Sequence, residues 1–354
     1  MGLDILICVN DIPNQNLTQN VNSVEVYEKI DSNTSYKLNF AVDICDGDIA
    51  QSIETDTAPD TILSVMANVN DALVCLVKGP ITMQQTQLKH GGAGSSLHIE
   101  GEDTGQMLDH GPVFQVTDSS TDSDIASNII SNHSMTPNVE PTPESTHDEN
   151  NHSHVQRESD LNLLRSLARR NGFHFWITYS NNGEATGHFK PRSLDSESAN
   201  TLIINNENNN IEQLQISSDS TRPSRTEGRQ INVRTLSIIG NGTTLNDTSL
   251  GSHSLSEANG SSQQTIHLAP VVDDAGALSA RSLGALRDAQ WFIKATGQTS
   301  LHQLCDIVRV HTIVKVDGAG SRHSGKYYVT GVKHKIDSTA YIMEFELERN
   351  AWGN

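Results

Sequence analysis

The clearest pattern of apolar and polar positions lies between Gln156 and Tyr179. Leu161, Leu163, Leu164, Leu167 and Ala168 recur at three- and four-residue spacings and form one stripe of a short amphipathic helix. Ser159 is placed to cap its N-terminus, and Asp160 puts negative charge in the first turn, where the helix dipole favours it. Arg165, Arg169 and Arg170 lie off the stripe, and the last two suit the negative C-terminal end. Asn171 and Gly172 supply a left-handed exit. Phe173, Phe175, Ile177 and Tyr179 then alternate as a strand, with Trp176 on the opposite face.

The rest of the chain reads mostly as strands. Up to about residue 90 the pattern predicts them at Leu3 to Val9, Val24 to Tyr27, Tyr36 to Val42, Leu73 to Pro80 and Ile81 to Lys89. Thr61 to Asn70 fits a strand or a short helix, because periodicity does not decide at that length. With Leu97 to Gly101 these form a small antiparallel barrel or sandwich. Asp124 to His133 reads as a helix with Ile125, Ile129 and Ile130 on one face. Residues 136–154 carry three prolines and almost nothing apolar, which predicts a linker without a core of its own. Two short apolar runs between Leu202 and Ile216 flank a polar turn at Asn205 to Asn210. Gln230 to Gly240 reads as one strand, residues 241–264 as a long exposed loop, and Asp273 to Ala289 as a helix with Ala277, Ala280, Leu283, Leu286 and Ala289 on one face. Strands follow at Trp291 to Lys294, Ile307 to Val316, Tyr327 to Ile336 and Ala340 to Glu348, as a second antiparallel barrel or sheet.

Composition narrows the functional classes. The 354 residues exceed one small core, so two or more domains are expected. Apolar residues make up 35 % and aromatics 5 %, low values that fit a loop-rich β protein or one stabilised by partner subunits. The formal charge of −19 makes the chain a poor candidate for gripping nucleic acid through its phosphates. It suits nucleic acid passing nearby without adhering. No stretch approaches the length of a membrane span, and Met1 to Val9 lacks the features of a signal peptide, so a soluble protein made in a cytoplasm is expected. Cys8, Cys45, Cys75 and Cys305 form no C-x-x-C pair and read as small buried hydrophobes.

Candidate chemistry is weak everywhere. His147, His152 and His154 crowd the polar linker beside Asp148 and Glu149, but a metal site needs ligands held by a supporting shell. His90, His98 and His110 lack ligand spacing. The stretch Gly91 to Ser96 lacks the lysine and spacing of a phosphate loop. Asp43, Asp46 and Asp48 around Gly47 miss the spacing of a calcium loop. Neither G-x-S-x-G nor H-E-x-x-H occurs. The chain is therefore expected to have no catalytic residue, cofactor or metal.

Two stretches resemble a known family. Gln156, Glu158, Ser159, Asp160, Leu164, Leu167, Ala168, Gly172, Phe173 and Phe175 resemble the Q-x-x-E-S-D-x-x-F-L-x-x-L-A-x-x-x-G-F-x-F pattern of the phage late control protein D family, with Leu163 where that family has Phe and one residue rather than two between Gln156 and Glu158. This family includes the tail and baseplate hubs of contractile phages and the hub portion of VgrG-type spike proteins. Tyr327, Val329, Val332, His334, Ile336 and Asp337, followed by Arg349 and Asn350, resemble its closing strands, G-x-Y-x-V-x-x-V-x-H-x-I-D and then Y-x-x-x-F-x-x-x-R-N. Ile99 to Asp103 and the helix at Asp124 to Ile130 are weaker echoes.

The resemblance implies a mainly β fold with α+β insertions, in which two small antiparallel β-barrel-like lobes are joined by a middle segment. The lobes are placed at residues 1–115 and 206–354 and the middle segment at 116–205, the latter containing the polar linker 136–154 and the helix–turn–strand 156–179. It implies a structural hub that is a homotrimer, adapting a sixfold tail tube to a threefold spike around a central channel. Its partners would be its own copies, the tail tube protein, a spike expected as a separate polypeptide and other baseplate proteins. DNA or effector protein would pass without specific binding, and no stable membrane insertion is implied. Assembly would occur in the cytoplasm, and the product would be part of a virion tail or injection particle. The competing classes are a tail-borne cell-wall hydrolase, which needs a carboxylate pair or metal triad in a cleft, and a carbohydrate-binding β-module, which needs exposed aromatics on a β face.

Overall fold

A computed structural model of the chain describes residues 5–42, 51–90, 94–117, 120–142, 153–231, 237–243, 248–259, 264–268 and 275–353. One antiparallel sheet path runs through it in the order Leu214–Ser218, Ile293–Ser300, Tyr341–Arg349, Gly325–Asp337, Val21–Lys29, Ser35–Val42, Ser95–Glu102 and Ala72–Gln87. The first four strands come from the C-terminal part and the last four from the N-terminal part. They meet where Gly325–Asp337 pairs with Val21–Lys29, His334 lying opposite Val26.

Each half has a long strand that leaves this sheet for a second layer. Ala72–Gln87 pairs with Ile62–Val69 along its first part and with Ser95–Glu102 along its second. Gly325–Asp337 likewise begins against Ile313–Asp317, which pairs in parallel with Asn200–Ile203. The inward side chains of both halves form one apolar core that includes Val24, Leu38, Ile99, Val332 and Phe345. The fold is thus mainly β with α+β insertions, as expected, but the two β-rich parts share a continuous sheet. No closed barrel is formed among the described residues.

The middle of the chain builds a second core. The helices Asp122–Asn132 and Asp160–Asn171 pack with the sheet of His174–Tyr179, Ala185–Lys190 and Thr136–Val139, burying Ile125, Ile129, Leu164, Leu167, Phe175 and Phe189. All five residues of the predicted stripe are buried. Thr136–Val139 lies inside the stretch read as an unstructured linker. It is an edge strand, where Pro137 needs no N–H for a further ladder; residues 143–152 lie outside the described part.

Other expectations change in detail. Thr61 to Asn70 resolves as the strand Ile62–Val69. Gln230 to Gly240 is not one strand. The chain reverses so that Ile231 pairs with Ile238 in a hairpin of Arg225–Ile231 and Ile238–Thr243. The stretch 241–264 is not all exposed loop: it contains His253–Ser254 and Leu255–Asn259, with Leu250 and Leu255 buried as anchors its polar composition hides. Ile307 to Val316 is a strand only from Ile313, because His311 takes a left-handed conformation. The helix is Ala275–Ala289, and its buried side also holds Leu278, Ser282 and Gly284. Cys8 and Cys75 are buried, but Cys305 is exposed at the left-handed end of a short helix; Cys45 and the acidic turn at Asp43 to Asp48 lie outside the described residues.

Candidate functional site

Candidate structural function gathers where the two sequence motifs meet their surroundings. In the first motif, the Ser159 hydroxyl accepts from the Asn162 N–H at 3.3 Å, and Gly172 closes the helix at φ +66°. The Gln156 amide, buried, donates to Asp160 Oδ1 at 2.7 Å and to the Glu158 carbonyl at 3.1 Å. The other Asp160 oxygen lies 2.8 Å from His133 Nε2, at the C-cap of the preceding helix. At the opposite end, Asn171 Nδ2 donates to the buried Asp122 at 2.7 Å, and Arg170 pairs with the same carboxylate. The two helices are therefore clamped at both ends. Each clamp sets a carboxylate from one helix's N-terminal turn against polar groups at the other's C-terminus, in the sense the helix dipoles favour.

Gly172 is also a point of contact. A Cβ built there would lie 2.7 Å from the Gly284 Cα, and one built on Gly284 would lie 2.8 Å from the Gly172 nitrogen. Two backbones thus touch where the motif helix ends on the flank of Ala275–Ala289.

The second motif owes its spacing to a bulge. Tyr327 and Val329 are two apart, Val329 and Val332 are three apart, and the period of two resumes at His334 and Ile336. The pairing with Tyr341–Arg349 shifts register between Val329 and Gly331. The extra residue resets the alternation so that all five side chains face the interior, each at most 2 % exposed. Asp337 caps the turn to the next strand, its carboxylate accepting from the N–H groups of Thr339 at 2.7 Å and Ala340 at 3.0 Å.

Arg349 and Asn350 hold a distant loop. Arg349 is wholly buried and donates to the carbonyls of Leu250 (2.9 and 3.2 Å), Ser324 (2.9 Å) and Gly353. Its guanidinium centre sits 5.3 Å from the Tyr327 ring centroid. Asn350 accepts from the Leu250 N–H at 2.9 Å and donates to the Thr248 carbonyl at 3.0 Å. The charge of Arg349 is thus spread over backbone dipoles, and burial lowers its affinity for the proton.

His334 belongs to a buried cluster at the seam of the two sheet halves. Its Nδ1 meets the Tyr341 hydroxyl at 3.0 Å, and Nε2 lies 3.7 Å from Glu28. Arg309 pairs with Glu28 at 2.6 Å and donates to the carbonyls of Cys75 and Leu76 across the core. Burial alone would raise the Glu28 pKa, but Arg309 and His334 together hold it below the usual value. In the weaker echo, Gly101 is needed because the Tyr36 ring lies over it, 2.2 Å from where a Cβ would stand. The buried Asp103 accepts from the Thr34 and Gly105 N–H groups at 2.7 and 2.8 Å.

Asp122, His133, Gly284, Glu28 and Arg309 were not singled out from the sequence. Their partners lie far along the chain, and only the acidic start of the Asp122–Asn132 helix hinted at one of them. The predicted motif residues fall into two places: the first motif on the middle core, the second on the seam and C-terminal edge of the main sheet. Among the described residues no group of His, Cys, Asp and Glu could hold a metal, and no helix is long and apolar enough to cross a membrane. Trp291 is buried, Trp176 is stacked between His188 and His311, and Trp352 packs on Phe292 and Arg322.

Comparison with known proteins agrees with this architecture. A tail protein from Neisseria meningitidis is similar in structure over 99 % of this chain and 98 % of its own, at 15 % identity and a TM-score of 0.68. The 43 kDa tail protein of prophage MuSo2 from Shewanella oneidensis matches over 98 % of both chains at 12 % identity and 0.68. An E. coli component of the type VI secretion system, described as similar to the T4 bacteriophage tail proteins gp27 and gp5, matches 98 % of this chain and 78 % of its own at 13 % identity and 0.60. At these identities the likeness is one of fold, and it meets the resemblance to tail and baseplate hubs drawn from the two motifs. No curated protein matches the chain. The family model described as the Alg8 N-terminal domain matches residues 3–338, and the chain belongs to that family.

Proposed function

We propose that the chain is a non-enzymatic structural hub of a contractile injection machine, a homotrimer that joins a sixfold tail tube to a threefold spike around a central channel. The observation that carries this reading is the eight-strand sheet path, made of four strands from each half of the chain. A trimer of such subunits presents six four-stranded units, which suits a sixfold ring on one side and threefold symmetry on the other.

The sheet is also open at both ends. Among the described residues, Leu214–Ser218 pairs only with Ile293–Ser300, and the Met83 to Gln87 part of Ala72–Gln87 pairs only with Ser95–Glu102. Neither edge segment carries a charge or a proline, the usual guards against further pairing. Eight antiparallel strands leave the two edges running in opposite directions. Successive copies can therefore add head to tail in antiparallel pairing until the ring closes.

The face of the sheet across the seam suits a passage. Lys29, Lys37, Lys333 and Lys335 are each paired with a carboxylate, on Glu346, Glu100, Glu25 and Glu344. A phosphate backbone or an effector protein would find little unpaired positive charge there. In this reading the partners are the tube protein, the spike and other baseplate proteins, with assembly in the cytoplasm and a final place at the tip of a virion tail or injection particle. In this reading residues 1–115 form the first β lobe, 116–205 the middle segment and 206–354 the second β lobe, to whose sheet Asn200–Ile203 of the middle segment adds through Ile313–Asp317. Light scattering on the chain alone and mixed with its spike protein tests the proposal. A threefold multiple of the chain mass is expected in at least the mixture, and a strict monomer in both would overturn it.

A further inference from the structure

The main core and the core of the middle segment are separate apolar clusters. Polar and aromatic contacts join the two bodies: His174 to Asp31 at 2.8 Å, Arg165 to Asn33 at 2.7 Å, and Lys78 to the Gly183 carbonyl at 2.9 Å. At the centre of this junction Trp176 is sandwiched between two imidazoles. His188, from the same sheet, stacks at 4.8 Å and 11°; His311, from the loop before Ile313–Asp317, stacks at 3.7 Å and 7°. The outer nitrogens are tied on each side, His188 Nε2 to the Thr178 hydroxyl at 2.7 Å and His311 Nδ1 to the Tyr328 hydroxyl at 2.9 Å. The stack borders a cleft of about 420 Å³ between the two bodies.

We propose that this His188–Trp176–His311 stack is an acid-sensitive latch: with both imidazoles neutral it docks the middle segment on the main sheet, and their protonation releases it. The inference does not depend on the hub reading.

The charges around the stack argue for the direction. Lys190 lies 5.7 Å from the Trp176 ring, and Arg192 packs on Trp291 and Tyr328 at 4.1 and 5.1 Å. The facing carboxylates are already engaged: Glu348 by Arg192 and Lys294, Asp31 by His174, and Glu28 by Arg309. Two acidic groups remain, Asp288 and Asp103, the latter bordering the same cleft and held by the Thr34 and Gly105 N–H groups; the pKa of each is raised, which leaves less negative charge to receive a proton on the stack, and the His174 ring lies 6.2 Å from His311. A proton on His311 would therefore enter an enclosed site that already holds Lys190 and Arg192. Burial is the largest cause that lowers the pKa of both rings, with the neighbouring cations adding to it: His188 falls from 6.5 to about 4, and His311 falls well below 6.5. An imidazolium is attracted to an indole face, but that attraction is outweighed here. Because each ring binds its proton more weakly when docked than when free, docking is favoured at neutral pH. It weakens as the pH falls from about 6.5 towards 4.

Protein labelled with 5-fluorotryptophan gives three ¹⁹F resonances, and Trp176→Phe identifies that of Trp176. On titration from pH 7 to 4, the Trp176 resonance should move in one step and gain a solvent isotope shift, whereas Trp291, which packs on Arg192, and Trp352, which packs on His323, should gain no solvent isotope shift. In the double variant His188→Gln, His311→Gln the step should be lost. The proposal fails if Trp176 moves without gaining solvent contact, or gains it only when all three resonances do so together. It fails equally if the step persists in the double variant. The wild-type titration decides the matter alone should the double variant not fold.

Discussion

Gly172 and Gly284 meet backbone to backbone, each filling the place where the other's Cβ would stand. The end of the motif helix is thus fixed against the flank of a helix more than a hundred residues away in sequence. Gly284→Ala should cost on the order of 1–3 kcal/mol through overpacking against the Gly172 backbone. Gly172→Ala should cost more, because a left-handed φ adds roughly 1–2 kcal/mol for a residue with a Cβ. Urea denaturation of the two variants checks the order. Gly172→Val and Leu164→Asp should go further and, under the proposed hub function, prevent particle assembly, seen by electron microscopy.

The helix clamps differ in burial and should differ in energy. Asp122 is 1 % exposed and accepts from Asn171 and Arg170, so Asp122→Ala removes the buried carboxylate that both donors share and should cost roughly 3–5 kcal/mol. His133→Ala opens the half-exposed clamp to Asp160 and should cost about 1 kcal/mol. Equal losses in thermal denaturation would mean that the two ends do not act as separate clamps.

Asp103 and Glu28 pull the pH dependence in opposite directions. Burial raises the Asp103 carboxyl from 3.8 to about 6, so the folded state binds its proton more tightly than the unfolded chain. Stability from this group therefore falls as pH rises from about 4 to 6, by up to roughly 3 kcal/mol. Glu28 has a lowered pKa, so its contribution is present above its unfolded value of 4.5 and is lost as the pH drops through the folded one. In Asp103→Asn, urea midpoints measured from pH 4 to 6 should lose the Asp103 slope.

Arg349 should prove hard to replace. Arg349→Ala leaves the Leu250 and Ser324 carbonyls without their donor inside the protein and should cost roughly 3–5 kcal/mol. Arg349→Lys supplies one ammonium where a fork reaches several carbonyls, and should recover only part of the loss. Limited proteolysis near Leu250 should accelerate in both, and more in the alanine variant.

The sequence determined what short spacing determines. The leucine stripe, the Ser159 cap, the Gly172 exit and the following strand follow from residues within a few positions of one another, where helix and strand periods act. The spacing of Tyr327, Val329, Val332, His334 and Ile336 was visible as a motif, but its cause was not. A bulge is defined by the strand opposite, and Tyr341–Arg349 must be in place before the extra residue has a meaning. The tertiary structure alone decided that both β-rich parts share one sheet, that Arg349 holds Leu250, and that Asp122 and His133 clamp the motif helix. Each of these joins groups tens to hundreds of residues apart, and composition constrains such pairs little. Gly284 shows the limit most plainly: within its helix it looks like a weak point, and only the approach of Gly172 makes the missing side chain a requirement.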